Sequence, residues 1–245
     1  MKIKALGSSS SGNSYLLIGQ NETLMLECGV RMSDVKKALN FNISQVVGCL
    51  VSHEHGDHSK YSLDVLKCGI PLYASSGTVE MIKTGGYYPN VIMPGKTYHI
   101  GEFKILAFNS EHDAKEPLCF YIQHPECGTI LFATDTRIVN TVMKGINTFI
   151  IEANYSQEEM DKRLYEGSLN SAQARRTQES HMSIEECIST LSNFDLSQTA
   201  RIILIHLSSG NSNASEFQKI VESSTGKQTF IADKGFEIEI NKTPF

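Results

Sequence analysis

The chain has 245 residues, enough for one large domain or two small ones with a substantial core. Its hydrophobic fraction of 40% and mean hydropathy of -0.19 are ordinary for a globular protein, and no apolar run approaches the ~20 residues that span a bilayer. A net charge of -5 excludes a whole-protein attraction to nucleic acid and leaves only local fields to hold an anion.

Residues 1–6 lead directly into a Gly/Ser turn, without the long apolar segment of a signal peptide. Apolar patterning predicts strands over 3–6, 14–18 and 23–27, separated by turns at 7–13 and 20–21. Ser33 is expected to cap a helix running to about Asn40, with Val35, Ala38 and Leu39 at helical spacing. The apolar run 46–51 predicts a buried strand that delivers the most informative stretch of the chain, His53-Glu54-His55-Gly56-Asp57-His58. Imidazoles and a carboxylate packed this closely suit zinc or a similar borderline ion. On one tight turn His53 and His55 can face one ion while Asp57 and His58 face a second. That pattern belongs to a two-metal hydrolytic site rather than a structural zinc.

Further along, the pattern predicts a helix at 61–67, a strand at 71–74 and a helix at 77–83. Strands follow at 96–100, 103–109, 118–123, 129–133 and 148–151. A helix starts at Gln157, a polar stretch fills 166–179, and a helix covers 183–191. The last third reads strand 201–205, helix 214–221 and strands 228–231 and 236–240. Strands first, helices interspersed and a loosely recurring plan predict two mixed sheets face to face with helices outside, in one domain over 1–245. Six cysteines, at 28, 49, 68, 119, 127 and 187, form no CxxC pair and read as reduced, mostly buried thiols of a cytoplasmic protein.

Ligand-type residues recur past other predicted strands: His112 after 103–109, Asp135 after 129–133 and His206 after 201–205. In open sheets, ligands and metals gather beyond strand ends. A single histidine there is ordinarily a hydrogen-bonding residue, but several such ends beside the 53–58 cluster point to one centre. His99 and His124 lie away from these positions and read as surface or structural.

Residues 7–14 with Leu26-Glu27-Cys28-Gly29, the HxHxDH run at 53–58, His112, Asp135 and His206 together resemble the successive motifs of the metallo-β-lactamase superfamily, over nearly the whole chain. The resemblance implies an α/β fold, a four-layer αββα sandwich. It also implies two divalent ions, zinc or alternatively manganese. One ion would take His53, His55 and His112, the other Asp57, His58 and His206, with Asp135 between them and a metal-bridging hydroxide as attacking group. An acid at position 27 supports ligand orientation in the family. It is usually Asp, so Glu27 is a departure with a longer arm.

Asp135-Thr136-Arg137 is similar to the fourth motif of transfer-RNA 3′-processing nucleases. Glu152 and His181 resemble the two loops that, in those enzymes, bring a Glu and a His to the leaving group. His181 would then protonate the departing oxygen, oriented by Glu152. The short segments after His112 and after Asp135 leave no room for a transfer-RNA-binding arm or a β-CASP cap. The compact YycJ/WalJ-like, exonuclease-like branch remains, in which Tyr155 stands where a histidine is common. The implied activity is a phosphodiesterase on nucleic acid, DNA favoured, with no membrane association and a homodimer as a frequent state of relatives. Alternatives are a cyclic-nucleotide phosphodiesterase with the same centre and a non-catalytic metal-binding module. Filled ligand positions argue against the second. Arg175 and Arg176, with Lys162 and Arg163 just before them, are candidates for holding substrate phosphates.

Overall fold

The computed structural model describes residues 1–242. One sheet contains β1 (Lys2–Gly7), β2 (Ser14–Ile18), β3 (Thr23–Leu26), β4 (Val46–Leu50), β5 (Leu72–Ala74), β6 (Asn90–Val91) and β14 (Glu237–Glu239), in the order β14-β1-β2-β3-β4-β5-β6. The other contains β7 (Thr97–Ile100), β8 (Phe103–Asn109), β9 (Leu118–His124), β10 (Gly128–Ala133), β11 (Thr148–Glu152), β12 (Arg201–Ile205) and β13 (Gln228–Ile231), in the order β13-β12-β11-β10-β9-β8-β7. Both are mixed: pairing is parallel from β3 to β6 and from β10 to β13, and antiparallel elsewhere.

Because successive strand side chains point to opposite faces, continuous apolar runs feed two cores at once. Leu17, Leu24 and Leu26 meet Phe120, Phe132 and Ile203 between the sheets. Their neighbours Leu16 and Met25 turn outward, onto α1 (Met32–Ala38) and α3 (Ser62–Lys67) through Val35, Val65 and Leu66. On the far side Tyr121, Phe149 and Leu204 meet α7 (Ile184–Ser192) and α8 (Ala214–Thr225) through Leu191, Phe217 and Val221. The result is four layers, αββα, as expected. Shorter helices are α2 (Gly56–Ser59) and α4 (Ser76–Met81). Two more, α5 (Gln157–Tyr165) and α6 (Ser171–Ser180), pack around Tyr155, Met160, Leu169 and Ala174 in a small core of their own. Tyr155 is thus a packing residue. No helix among the described residues is long and apolar enough to cross a membrane.

Several predicted boundaries shift for identifiable reasons. Ser33 lies inside α1 and does not cap it. The N-cap is Arg31, without a side-chain bond, because buried Met32 is drawn into the first turn. The predicted strand through 27 stops at Leu26, since Glu27 adopts a left-handed backbone with φ 62. Within the polar stretch 166–179 lies α6, capped by Asn170, whose side chain accepts from the Gln173 amide. Its buried residues are only Ala174 and Ser180, so no apolar stripe announces it.

The turn carrying 53–58 is stapled to the rest of its sheet by main-chain bonds. The Asn13 amide donates to the Asp57 carbonyl at 2.7 Å and the Cys28 amide to the His58 carbonyl at 2.7 Å. So close an approach requires glycine at 29, where a Cβ would overlap the Asp57 carbonyl oxygen. Gly29→Ala is therefore expected to lower stability by at least ~1–3 kcal/mol, the range for overpacking. Urea unfolding should show a lower midpoint at unchanged slope.

Candidate metal centre

β10, β11 and β12 are parallel neighbours in register, so the residues at their C-terminal ends emerge side by side. Asp135 follows β10, Glu152 closes β11 and His206 follows β12. The loop after β4 brings His53 to His58 against them from the other sheet, and the loop after β8 brings His112. One ligand atom from each of His53, His55 and His112 lies within 4.8 Å of the others, and the same spacing joins Asp57, His58, Asp135 and His206.

Asp135 is 3% exposed and stands between the two groups. Its Oδ2 lies 3.9 Å from His53 Nε2 and 3.6 Å from His112 Nε2, whereas Oδ1 lies 3.2 Å from His58 Nε2 and 3.4 Å from His206 Nδ1. His112 Nδ1 donates to the Ser180 carbonyl at 2.7 Å, which leaves Nε2 as a lone pair 3.1 Å from His55 Nδ1. His53 is fully buried, and its Nε2 has no hydrogen-bond partner. Burial and the adjacent His58 hold its pKa well below the usual imidazole value, so the ring is neutral. A buried, neutral, unpartnered nitrogen beside a carboxylate fits a divalent cation, and an all-nitrogen-and-oxygen donor set suits zinc-like or manganese-like ions.

A shell of polar groups fixes these side chains. The Glu27 carboxylate lies 3.5 Å from His58 Nδ1 and accepts the Ser52 amide at 3.2 Å. Asn13 Nδ2 donates to Asp57 Oδ2 at 3.1 Å. Ser8 Oγ accepts both the His206 amide at 3.0 Å and the Tyr15 hydroxyl at 2.8 Å. Asn154 Nδ2 donates to the His206 carbonyl at 2.8 Å. Sequence reading assigned Ser8, Asn13, Tyr15 and Asn154 no role. Ser8 and Asn13 sit in the Gly/Ser turn, whose composition marks a turn but not the burial of its polar groups. Asp135 and His206 share with Glu27 a left-handed backbone, φ 42 and 56, so strain gathers at the centre.

Glu152 is fully buried and heavily engaged. Its Oε1 lies 2.7 Å from His181 Nδ1 and 3.0 Å from His206 Nδ1, while Oε2 accepts the Thr136 and Met182 amides, each at 3.1 Å. Burial opposes a charge on His181, but Glu152 and Asp135 outweigh it and raise the ring's pKa. His181 precedes the Ser183 capping box of α7 and lines a cleft of about 310 Å³ together with His55, Asp57, Asp135 and His206.

The four basic residues separate. Arg176 lines the cleft and donates to Asp113 Oδ2 at 2.8 Å. Arg175 pairs with Glu179 along α6 and stays outside the cleft, as does exposed Lys162. Arg163 reaches instead to Asn211 Oδ1, at 2.7 Å. His99 and His124 take no part, and His124 is buried against Phe103, 4.5 Å between ring centroids.

A family model described as the Beta-lactamase superfamily domain matches residues 30–207. The chain is 28% identical over 254 residues to the exodeoxyribonuclease YycJ of Bacillus anthracis, covering 97% of this chain and 94% of that one. It is 30% identical over 230 residues to the exodeoxyribonuclease WalJ of Streptococcus pneumoniae serotype 2, covering 86% and 82%. The crystal structure of the metallo-beta-lactamase fold protein YhfI from Bacillus subtilis superposes with a TM-score of 0.73 at 16% identity, covering 97% and 99%.

The electrostatics of the metal-free centre set its pH behaviour. Burial disfavours a charged His206, yet Asp135, Asp57 and Glu152 together raise its pKa to about 10. Near neutral pH an arriving cation must displace that proton, so zinc affinity is expected to rise with pH and binding to release protons. In the metal-free protein the same shift contributes stability that is fully present below the unfolded value of ~6.5 and is lost as pH rises through about 10. Calorimetric zinc titrations in buffers of different ionisation enthalpy would measure the released protons.

Proposed function

The chain belongs to the metallo-β-lactamase superfamily, and from that membership we propose that it is a two-metal phosphodiesterase acting on nucleic acid, with DNA as substrate. The observation that carries the reading is the division of Asp135, one oxygen toward His53 and His112 and the other toward His58 and His206. A carboxylate so placed suits a bridge between two ions. DNA is supported by the names of the YycJ and WalJ relatives. Six free thiols, five of them buried, are consistent with a reducing, cytoplasmic setting.

In this reading His53, His55 and His112 would hold one ion and Asp57, His58 and His206 the other, with Asp135 between the two groups. Zinc is the best match to five imidazoles at one centre. When bound, the ions supply Lewis acidity toward the phosphate and activate water at neutral pH. The chain's own groups do the rest. Glu27 holds His58 in orientation, and the Ser180 carbonyl fixes the His112 tautomer. His181, tied through Nδ1 to Glu152, keeps Nε2 for the cleft and donates a proton to the departing oxygen. Arg176, across the cleft, offsets phosphate charge.

His181→Ala should slow shortening of labelled duplex DNA by ~10²–10⁴-fold while two metal equivalents remain by elemental analysis. His206→Ala should lose one equivalent, and a variant keeping both would overturn the ligand assignment. Ring opening of cyclic mononucleotides without any DNA shortening would replace this reading with the cyclic-nucleotide one.

A further inference from the structure

The cleft lining combines two chemically distinct sets of residues. Asp57, Asp135, His181 and His206 belong to or adjoin the candidate metal centre, whereas Ser10, Ser208, Asn211, Gln173 and Arg176 lie outside it. That second set offers donors and hydroxyls but no carboxylate. Within it Asn211 is 6% exposed and pinned twice: its backbone carbonyl accepts the Ser156 amide at 2.9 Å, and its side-chain Oδ1 accepts Arg163 Nη1 at 2.7 Å. A guanidinium has donors only. The amide oxygen must therefore face Arg163, which leaves Nδ2 to the cleft, where it has no hydrogen-bond partner among the described residues.

Arg163 is itself built into place. It rises from α5, donates to the Ser168 carbonyl at 3.2 Å, and passes Gly210 so closely that a Cβ there would overlap Nη1. An accessible amide donor on a largely buried asparagine, oriented by a cation and sharing one cleft with serine hydroxyls and Arg176, suits anionic oxygens.

We propose that this part of the cleft is a subsite for a second substrate phosphate, one nucleotide away from the phosphate that is cleaved, with Asn211 Nδ2 as contact and Arg163 as the positioning residue. The assignment rests on the phosphodiesterase reading above. A terminal monoester and an internal diester present the same oxygens here, and the position of the added phosphate in a short substrate separates them.

The test compares the zinc-loaded protein on the thymidine dinucleotide TpT with pTpT and TpTp, which add a terminal phosphate on either side, and with TpTpT, which adds an internal one. One of the phosphate-bearing substrates should show a KM lower than that of TpT by about 10–100-fold, as a hydrogen bond to a charged group predicts. Asn211→Ala should abolish that preference. Arg163→Met and Gly210→Ala should reduce it, and Arg163→Lys should keep part of it. The double variant Arg163→Met/Asn211→Ala should be no worse than Asn211→Ala alone, because the arginine acts through the amide. A wild-type protein without the preference, or an Asn211→Ala variant that retains it, overturns the subsite while leaving the phosphodiesterase reading intact. Equilibrium binding of thymidine 5′- and 3′-monophosphate to both proteins separates the opposite failure. Binding weakened by Asn211→Ala in a protein that cleaves none of the substrates supports the subsite and overturns the phosphodiesterase reading. Additive losses in the double variant overturn the positioning role of Arg163.

Discussion

Burying the Asp135 carboxylate is the constraint from which the rest of the molecule follows. Five imidazoles, those of His53, His58, His112, His181 and His206, place a ring nitrogen within 4.0 Å of its oxygens. Such a concentration of polar groups in a 3% exposed position is unfavourable unless each lone pair and proton finds a partner. Two sheets with parallel halves solve the geometric part of the problem. The loop after β4 brings His53 and His58 from the first sheet, those after β8 and β12 bring His112 and His206 from the second beside Asp135 itself, and the apolar residues between the sheets hold the ends in opposition. On the proposed reading, divalent cations would solve the electrostatic part. The left-handed backbones at Glu27, Asp135 and His206 are tolerated because strand ends on both sides already determine where those residues stand.

Much of this was legible in the sequence because ligand chemistry restricts residue type. Three histidines and an aspartate on a six-residue turn have few other uses, and His112, Asp135 and His206 each follow an apolar run whose end can be read from pattern alone. Apart from Glu27, support by polar residues was not legible. Ser8, Asn13 and Asn154 are types that ordinarily occupy exposed turns, and nothing local marks them as buried beneath a metal centre. Helix α6 escaped for a related reason: with Ala174 and Ser180 as its only buried residues, it lacks the periodicity by which a helix is recognised. Its two functions, giving its last carbonyl to His112 and walling the cleft, were hidden with it.

The basic residues show how little charge alone decides. Lys162, Arg163, Arg175 and Arg176 are equivalent as sequence, yet one lies on the cleft, one behind it, and two face away. The difference comes from helix phase and from where bare backbone, at Gly210, admits a guanidinium. Ser33 makes the same point for stability. A good capping residue lies inside α1, one position after Met32, whose side chain is buried against the first sheet.

The α5–α6 pair packs mainly on itself, around a handful of apolar side chains, while the sandwich has three larger cores. Segments with so little private core are the first to open in native-state fluctuations, well before the sheets lose their hydrogen bonds. Here such an opening would have two effects at once. It would widen the cleft that α6 walls, and it would withdraw the Ser180 carbonyl that fixes the His112 ring. The wall of the cleft and the support of one candidate ligand are thus mechanically the same part, so on the proposed reading a protein stiffened along α6 would bind zinc more tightly and turn over more slowly.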